Sequence, residues 1–383
     1  MVNLLLLLPR PRARLAFAGL VSVGLIATAC GGGGANDEPT AAAVTQEPAS
    51  AAAADDIVDP GDGSDPVGGD AVPAGDADAV ADDDVPGAAE PDLDSAPAPT
   101  GPVFEEVAVW GRDDGNTFTS PNGVAIDADG NVYVTEFAGD RVQQFTPDGV
   151  LITSWGGTGA APGELAAPID VDIDAAGFVY ISEAGNSRVQ KFTPTGELVG
   201  SFGSHGQGPG EFFSALAFDI SPDQRVYVID WGGNRVNVFT TDGAFLFSFG
   251  GQGSGDGQFA QAQGLGVAPN GDVYVTDTEN VRIQRFTSEG EHIATFGTNG
   301  FDPGQFRRPA RVFIDEFLYI SDLVTSEVAQ FALDGTFIAN IDADGLRGAH
   351  GVAIGDDGRM YIADTGNGLV RVLELVADEP GAS

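Results

Sequence analysis

Six tyrosines recur at nearly even intervals through most of the C-terminal part of the chain. Each lies in a short run of β-branched and aromatic residues, such as NVYVTE or FVYISE, which favours a β-strand. They are Tyr133, Tyr180, Tyr227, Tyr274, Tyr319 and Tyr361, with spacings of 47, 47, 47, 45 and 42 residues. A period in this range predicts a repeat architecture, in which each copy forms one supersecondary unit.

Other residue types recur at fixed offsets from each tyrosine. An acidic residue follows three positions later, and in the first four copies an arginine follows eight positions later. Turn motifs such as DADGN and TPDG separate the apolar runs, and their glycines permit the positive φ that hairpin turns require. Each copy is therefore predicted to form four antiparallel strands, named a to d in chain order, as in a propeller blade.

The two ends of the repeat region complement each other. The sixth copy ends after strand c, and an unmatched segment whose Trp110-Gly111 resembles Trp155-Gly156 of a strand d stands before the first copy. We predict that Val107–Trp110 pairs with Arg371–Leu375, which removes two exposed sheet edges. The predicted fold is all-β: a six-bladed β-propeller of four-stranded antiparallel blades, with the ring closed by the N-terminal strand.

The repeat resembles that of the NHL-repeat family. Pro121–Gly149 follows the family pattern almost throughout, and the glycine-rich connectors at Gly203–Phe212 and Gly297–Phe306 resemble it too. The resemblance covers roughly residues 103–376. Copies five and six depart from it, with Glu327 and Leu369 at the arginine position. The resemblance implies a propeller fold and does not by itself imply one activity.

The first 30 residues have the composition of an export signal. Arg10, Arg12 and Arg14 precede the apolar run Leu15–Ala29, which is shorter than the ~20 residues of a membrane-spanning helix. The ending Ala-Thr-Ala-Cys resembles a bacterial lipoprotein box, which implies lipidation of Cys30. We therefore predict an exported protein, lipid-anchored at the outer face of the bacterial cell membrane. Simple cleavage of the signal, followed by secretion, is the alternative.

Composition divides the rest of the chain into two parts. Residues 31–102 contain 17 acidic residues and no lysine or arginine, among runs of alanine, glycine and proline. Such a segment cannot bury enough apolar surface to fold, so we predict a disordered tether. The predicted domains are a signal at 1–30, the tether at 31–102 and the propeller at 103–383.

The predicted propeller is strongly acidic, with 40 acidic and 14 basic residues and a net charge of −26. Nucleic-acid affinity depends on lysine and arginine contacts with phosphates, so nucleic acid is not an expected partner. The single cysteine excludes an intramolecular disulfide framework and the cysteine-rich zinc sites of the RING ligases found in this family. We expect a monomer.

Functional residues of a propeller usually lie at one mouth of the central channel, where d–a connectors meet b–c loops. The residues at the start of each strand a are expected to face this mouth. They are Asn122, Ile169, Leu216, Gln263, Ala310 and His350, followed by Gly123, Asp170, Ala217, Gly264, Arg311 and Gly351. Asp170 and Arg311 come from opposite copies, which predicts a pair across the mouth. A zwitterionic or peptide-like ligand is one use for it, and a solvated or backbone-satisfied pair is the alternative.

The composition of this mouth favours binding over catalysis. We predict a surface-anchored, non-catalytic binding or scaffold module whose ligand contacts are Asn122, Asp170, Gln263, Arg311 and His350. The expected ligand is a protein, a peptide or a glycan. The alternative is a metal-dependent enzyme of the lactonase or peptide-amidating-lyase type. No cofactor is predicted, because zinc needs three or four convergent donors and three apolar residues share the ring. A divalent metal at Asn122, Asp170 and His350 belongs to the alternative.

The recurring acid and arginine are predicted to be structural. A carboxylate that accepts loop N–H groups and is bridged by an arginine would brace each b–c loop. The predicted pairs are Glu136 with Arg141, Glu183 with Arg188, Asp230 with Arg235 and Asp277 with Arg282. The string DADG at Asp127–Gly130 resembles part of a calcium loop but occupies a repeated hairpin position, so a turn is predicted there.

Overall fold

The computed structural model describes residues 103–111, 117–341, 343 and 345–376. The predicted signal, the predicted tether and Cys30 lie outside the described residues. Within them, six four-stranded antiparallel sheets form a ring, which confirms the predicted six-bladed propeller. Two short 3₁₀ turns, Thr278–Asn280 and Thr365–Asn367, interrupt the b–c loops of two blades. No helix in this part of the chain is long and apolar enough to cross a membrane.

Each blade runs outward from the channel through strands a, b, c and d. The a strands are β2 (Pro121–Ile126), β6 (Pro168–Ile173), β10 (Ala215–Ile220), β14 (Leu265–Val267), β18 (Pro309–Ile314) and β22 (Ala349–Ile354). The b strands are β3 (Val132–Glu136), β7 (Val179–Glu183), β11 (Arg225–Asp230), β15 (Val273–Asp277), β19 (Leu318–Asp322) and β23 (Arg359–Asp364). The c strands are β4 (Arg141–Phe145), β8 (Arg188–Phe192), β12 (Arg235–Thr240), β16 (Arg282–Phe286), β20 (Val328–Phe331) and β24 (Leu369–Val376). The d strands are β5 (Leu151–Gly156), β9 (Leu198–Phe202), β13 (Phe245–Gly250), β17 (His292–Phe296), β21 (Phe337–Ile341) and, in the last blade, β1 (Val103–Trp110).

The ring closes as the sequence predicts. β1 pairs antiparallel with β24 along Val103–Trp110, so blade 6 has the order β1-β24-β23-β22. β22 also contacts β2, the innermost strand of blade 1. The first strand of the propeller therefore completes the last blade, and β24 has a partner strand on both of its edges.

Burial falls from the middle of each blade to its rim. Several b strands, such as β3 and β7, are buried along their whole length, because the faces of neighbouring blades pack on both sides of them. The d strands alternate between exposed and half-buried residues, as β13 shows. This gradient explains why the b strands carry the near-continuous apolar runs that define the repeat.

The repeated tyrosine joins neighbouring blades. Its ring is buried beside strand b, and its hydroxyl group reaches the c–d turn of the next blade. The hydroxyl donates to a carbonyl oxygen in four such pairs: Tyr180 with Thr241, Tyr227 with Ser288, Tyr274 with Leu333 and Tyr361 with Pro147, at 3.1, 2.9, 2.6 and 3.4 Å. In these four blades the tyrosine marks a blade-to-blade contact, whereas the hydroxyl groups of Tyr133 and Tyr319 contact Asp127 and Gln330 of their own blades.

Two constraints favour glycine in the c–d turn: a positive φ and a lack of space for a side chain. Gly149 has a φ of +82°, which side chains rarely adopt, and a Cβ added to it would lie 2.5 Å from Trp110 Nε1. The corresponding Gly196, in blade 2, has a φ of +85° and faces Trp155 of the preceding blade in the same way. The large apolar residue of one strand d therefore packs on the turn glycine of the next blade.

We expect Gly149→Ala to destabilise the propeller by about 2–3 kcal/mol, because backbone strain and overlap with Trp110 add together. The matched control is Gly177→Ala, which has a φ of +86° but no atom within 4 Å of an added Cβ. The control is expected to carry the backbone strain alone, about 1 kcal/mol. Urea unfolding of the two variants measures the difference, and equal losses would contradict the packing role of Trp110.

Candidate functional site

The acid–arginine pair anchors the connectors at one end of the ring. In blade 1, Arg141 Nε donates to Glu136 Oε1 at 2.6 Å, and Arg141 Nη2 donates to the carbonyl oxygen of Thr117 at 2.9 Å. The backbone N–H of Thr119 donates to Glu136 Oε2 at 2.6 Å. The same ion pair joins Glu183 with Arg188, Asp230 with Arg235 and Asp277 with Arg282. The sequence repeat predicts that this ion pair braces the b–c loop. In the structure both side chains also form hydrogen bonds with the backbone of the d–a connector.

In blades 5 and 6 the equivalent carboxylates, Asp322 and Asp364, have hydrogen-bond donors although no arginine occupies the repeated position. In blade 6, Arg371 lies two residues beyond Leu369, and its Nε donates to Asp364 Oδ2 at 2.7 Å. In blade 5, Asp322 Oδ2 accepts the backbone N–H groups of Arg307 and Arg308, both at 2.7 Å. The side chains of those two arginines take no part in the brace. We call the end of the ring that carries these connectors and the b–c loops the top face.

Asp170 and Arg311 meet across the channel, close to the top face. Arg311 Nη1 lies 4.0 Å from Asp170 Oδ2, and the exposed fractions of the two side chains are 8% and 16%. Arg311 Nη1 donates to the carbonyl oxygen of Gln263 at 2.8 Å, and Nη2 donates to Asn122 Oδ1 at 2.7 Å. The buried Nε of Arg311 has no hydrogen-bond partner within the described residues. One guanidinium group thus joins blades 1, 2, 4 and 5.

Burial dominates the electrostatics of this pair. It raises the pKa of the Asp170 carboxyl group, and the nearby Arg311 and the N–H groups of Val171 and Phe218 only partly oppose that rise. Burial also lowers the pKa of Arg311, against the opposite effect of Asp170. Both shifts disfavour charge, because the pair is desolvated and its closest approach is long for an ion pair.

Glycines narrow the channel at the level of this pair. Gly123 and Gly351 occupy the position of Arg311 in blades 1 and 6, and neither has room for a side chain. A Cβ at Gly123 would lie 2.8 Å from Asp170 Oδ1, and one at Gly351 would lie 2.5 Å from the carbonyl oxygen of Asn122. The a strands therefore approach closely here, and the Arg311 side chain fills the centre of the ring.

His350 lies beside the guanidinium group. Burial and the charges of Arg311 and Arg308 together lower the pKa of His350 to about 4, and a hydrogen bond from Nδ1 to the carbonyl oxygen of Gly348 at 3.0 Å partly opposes the shift. The imidazole is therefore neutral at pH 7. With Nδ1 as the donor, Nε2 remains as an acceptor. Because the unfolded chain takes up this proton first, His350 removes stability as the pH falls from about 6.5 towards 4.

The predicted ligand residues thus come together unequally. Asn122, Asp170, Arg311 and His350 gather at the top of the channel, at positions taken from four blades. Gln263 contributes its backbone carbonyl oxygen, which accepts from Arg311. Within the described part of the chain, no three His, Cys, Asp or Glu side chains gather in a way that could hold a metal ion.

Two channel carboxyl groups were not predicted from the sequence. Asp172 and Asp219 lie one pleat below Asp170 on β6 and β10, and Asp172 Oδ2 accepts the backbone N–H of Ile220, the residue after Asp219, at 2.8 Å. Burial raises the pKa of both, and the negative charge of Asp219 raises the pKa of Asp172 further. The two carboxyl groups therefore disfavour each other's ionisation. The signal was present in the strands PIDVDI and ALAFDI, since the other a strands carry no acid at this position.

A groove of about 250 Å³ lies on the opposite face, between the turns of blades 6 and 1. Asp127, Asp129, Asp356 and Asp357 are among the residues that line it. Asp127 Oδ1 accepts the backbone N–H groups of Asp129 and Asn131, both at 2.9 Å. The DADG string therefore forms a hairpin turn.

A family model matches the same repeated units that the structure shows. The NHL-repeat model matches residues 118–145, 259–286 and 346–373, which run from the connector to the end of strand c in blades 1, 4 and 6. The chain carries three NHL repeats in a six-bladed β-propeller. The tyrosine, the brace acid and the repeated phenylalanine or leucine of strand c all fall inside the matched segments. No curated protein matches this NHL-repeat chain.

Solved propellers of low sequence identity share this fold. A gluconolactonase from Xanthomonas campestris is 16% identical, with a TM-score of 0.55, over 73% of this chain and 97% of its own. A streptogramin B lyase is 12% identical, with a TM-score of 0.53, over 73% of this chain and 100% of its own. A catalytically inactive virginiamycin B lyase from Staphylococcus aureus, solved with quinupristin, is 14% identical, with a TM-score of 0.50, over 68% of this chain and 83% of its own. At these identities the likeness concerns the fold.

Proposed function

We propose that this NHL-repeat propeller is a non-catalytic binding or scaffold module, exported and lipid-anchored through Cys30, whose top face holds a protein, peptide or glycan ligand. One observation carries the proposal. Asn122, Asp170, Arg311 and His350 gather at the top of the channel, at positions where the repeat itself requires no polar side chain. Buried polar groups lower stability unless they are fully satisfied, so a cluster outside the repeated framework favours a functional role.

The top of the channel offers a ligand both kinds of hydrogen-bonding group. The neutral His350 has an acceptor at Nε2, and Arg311 has a positive charge and an unsatisfied Nε within the described residues. Because Arg311 fills the centre of the ring, the ligand would lie on the top face and contact the channel residues from above. A few fixed polar groups in a largely apolar surrounding suit an organic ligand.

A metal-dependent enzyme of the lactonase or lyase type is the second candidate. The neutral imidazole of His350, held through Nδ1, favours it, because such a group can act as a general base. A metal in this class of site would need converging carboxylate, amide or imidazole donors. Asn122, Asp170 and His350 are the available set, but Asn122 and Asp170 already contact Arg311.

Arrays of immobilised peptides and glycans test the binding role. The full-length protein is expected to bind a restricted set of spots, and His350→Gln to weaken that binding about tenfold through loss of a half-buried hydrogen bond. Asp129→Asn on the opposite face is the control and should bind as the wild type does. Equal binding by wild type and His350→Gln, or no bound spot at all, would contradict the proposal. Lactone hydrolysis or lyase turnover that requires added metal and is lost in His350→Gln would establish the enzyme instead.

A further inference from the structure

Three arginines of the top face stand apart from the other basic residues. Arg307, Arg308 and Arg347 form no ion pair with any described residue, whereas the brace arginines and Arg311 lie within 4.0 Å of a carboxylate. The buried Nε of Arg308 also has no hydrogen-bond partner within the described part of the chain. In a propeller with 40 acidic residues, cations left without an acidic partner need an explanation.

The repeat does not explain them. Arg307 and Arg308 end one d–a connector, and Arg347 lies in the next one. The equivalent pairs of positions in blades 1 to 4 hold Thr119 and Ser120, Ala166 and Ala167, Phe213 and Ser214, and Ala260 and Gln261. Four blades therefore have uncharged residues at these positions of the connector. The three arginines occur in blades 5 and 6 only, among the described residues.

The two connectors meet at the b–c loop of blade 5. The backbone N–H of Leu323 donates to the carbonyl oxygen of Arg308 at 3.1 Å. The N–H of Gly348, next to Arg347, donates to Ser326 Oγ at 3.2 Å. Arg307, Arg308 and Arg347 thus flank one loop and form what we call the arginine cluster. His350 lies close to the cluster, and the charge of Arg308 lowers the pKa of its imidazole.

Exposed apolar side chains lie next to the arginine cluster. Phe301 is 76% exposed and Val324, in the b–c loop of blade 5, is 55% exposed. The guanidinium group of Arg307 lies over the Phe301 ring, 4.9 Å from its centroid, and Arg307 Nη1 donates to Asn299 Oδ1 at 2.7 Å. Arginine beside an exposed aromatic ring is the composition enriched in protein interfaces and in their energetic hot spots.

We propose that the arginine cluster binds a short acidic segment of a protein partner. This inference rests on the proposed binding function and names the chemistry of its ligand. One or two carboxylates would pair with the guanidinium groups of Arg307, Arg308 and Arg347, which match carboxylates with two parallel hydrogen bonds. An apolar side chain of the partner would lie against Phe301 and Val324.

The surrounding charge restricts the partner to a compact anion. The propeller has a net charge of −26, and the connectors of blades 2 and 3 carry Glu164 and Glu211 on the same face. A long polyanion would extend from the cluster over this acidic surface and be repelled, whereas a short acidic segment stays within reach of three cations. The exposed Phe301 and Val324 favour a peptide over an acidic glycan, because a peptide brings apolar side chains of its own.

Selection from a random heptapeptide phage library tests the inference with the full-length protein. Wild type is expected to enrich peptides with at least two Asp or Glu residues next to an apolar residue. The best peptide, synthesised, should bind the variant R307Q/R308Q/R347Q about tenfold more weakly, since each exposed ion pair contributes modestly. The same peptide with Asn and Gln in place of Asp and Glu should lose as much. Arg225→Gln, which removes an arginine paired with Glu289 on the opposite face, is the control for loss of a positive charge outside the cluster and should bind normally.

Each other outcome is decisive. Enriched peptides without an acidic bias, or equal binding by the triple variant, would overturn the acidic ligand and leave the binding function standing. Enrichment of no peptide, together with empty peptide and glycan arrays, would overturn both. Acidic glycans bound on the array and lost in the triple variant would replace the protein partner by a saccharide. Unfolding midpoints of wild type and triple variant within error of each other show that the fold is intact, because the brace uses only the backbone N–H groups of Arg307 and Arg308.

Discussion

A chain that lacks Val103–Trp110 is expected to lose the cooperative unfolding transition of the propeller and to aggregate. The deletion removes all of β1 and leaves β24 as an open, apolar edge. Trp110 alone is 4% exposed and packs against Phe145 and Tyr361, at centroid distances of 5.4 Å. Loss of a buried tryptophan usually lowers the free energy of unfolding by about 3–5 kcal/mol, a large share of the ~5–15 kcal/mol of a folded domain.

β1 also completes the charge network of blade 6. Glu106 Oε2 accepts from Arg371 Nη1 at 2.6 Å, and Arg371 Nε in turn donates to the buried Asp364. Without β1 the Arg371 side chain, which is 6% exposed, loses its ion pair with Glu106. The deletion therefore removes a packing contact and an ion pair in the blade where the ring closes.

Urea unfolding and analytical ultracentrifugation measure these effects in the full-length background. An eight-residue deletion inside segment 31–102 is the length-matched control, and it is expected to unfold at the same urea concentration as the wild type. A peptide with the sequence of residues 103–110, added in excess, is expected to restore part of the lost stability. An unfolding midpoint equal to that of the wild type after deletion of β1 would contradict its role in closing the ring.

Arg311→Met is expected to lower the free energy of unfolding by about 3–5 kcal/mol at pH 7. The change leaves the Asp170 carboxylate buried without its cation, and it removes the donors to Asn122 Oδ1 and the Gln263 carbonyl oxygen. Burial already raises the pKa of Asp170, and loss of Arg311 raises it further. A carboxyl group whose folded pKa is raised destabilises the protein as the pH rises through that pKa, so the loss should shrink as the solution is acidified.

A double-mutant cycle separates the charge from the packing. Asp170→Asn in the Arg311→Met background is expected to recover part of the lost free energy of unfolding, because burying a neutral amide costs less than burying an unpaired carboxylate. Arg307→Met is the control, since Arg307 is exposed and pairs with no described acid; its effect should lie within about 0.5 kcal/mol of zero. Arg311→Met with wild-type stability at pH 7 would show that the pair is not a structural element of the channel.

The blade count followed from the sequence because the repeat records contacts that every blade makes. Tyr180 is an example: its hydroxyl group donates to the turn of the next blade, and the tyrosines of three other blades make the same contact. The strand that completes blade 6 could be predicted for a similar reason. Trp110 matches Trp155 in the sequence, and each tryptophan packs on a turn glycine of the next blade. Strand pairing that recurs in all six blades leaves a periodic pattern in the sequence.

The channel and the arginine cluster depend on contacts that occur once. The offsets from each tyrosine placed Asp170 and Arg311 opposite each other, but the depth of their burial follows from the close approach of strands at Gly123 and Gly351. No offset reveals that Arg371 replaces the arginine missing at Leu369, because that side chain comes from a different position on the strand. Nor does the sequence show that Arg307 and Arg308 form no ion pair with a described residue, since only the tertiary structure shows which cations already have a carboxylate. The periodic sequence determined the ring, and the non-periodic contacts inside it were decided by three-dimensional packing.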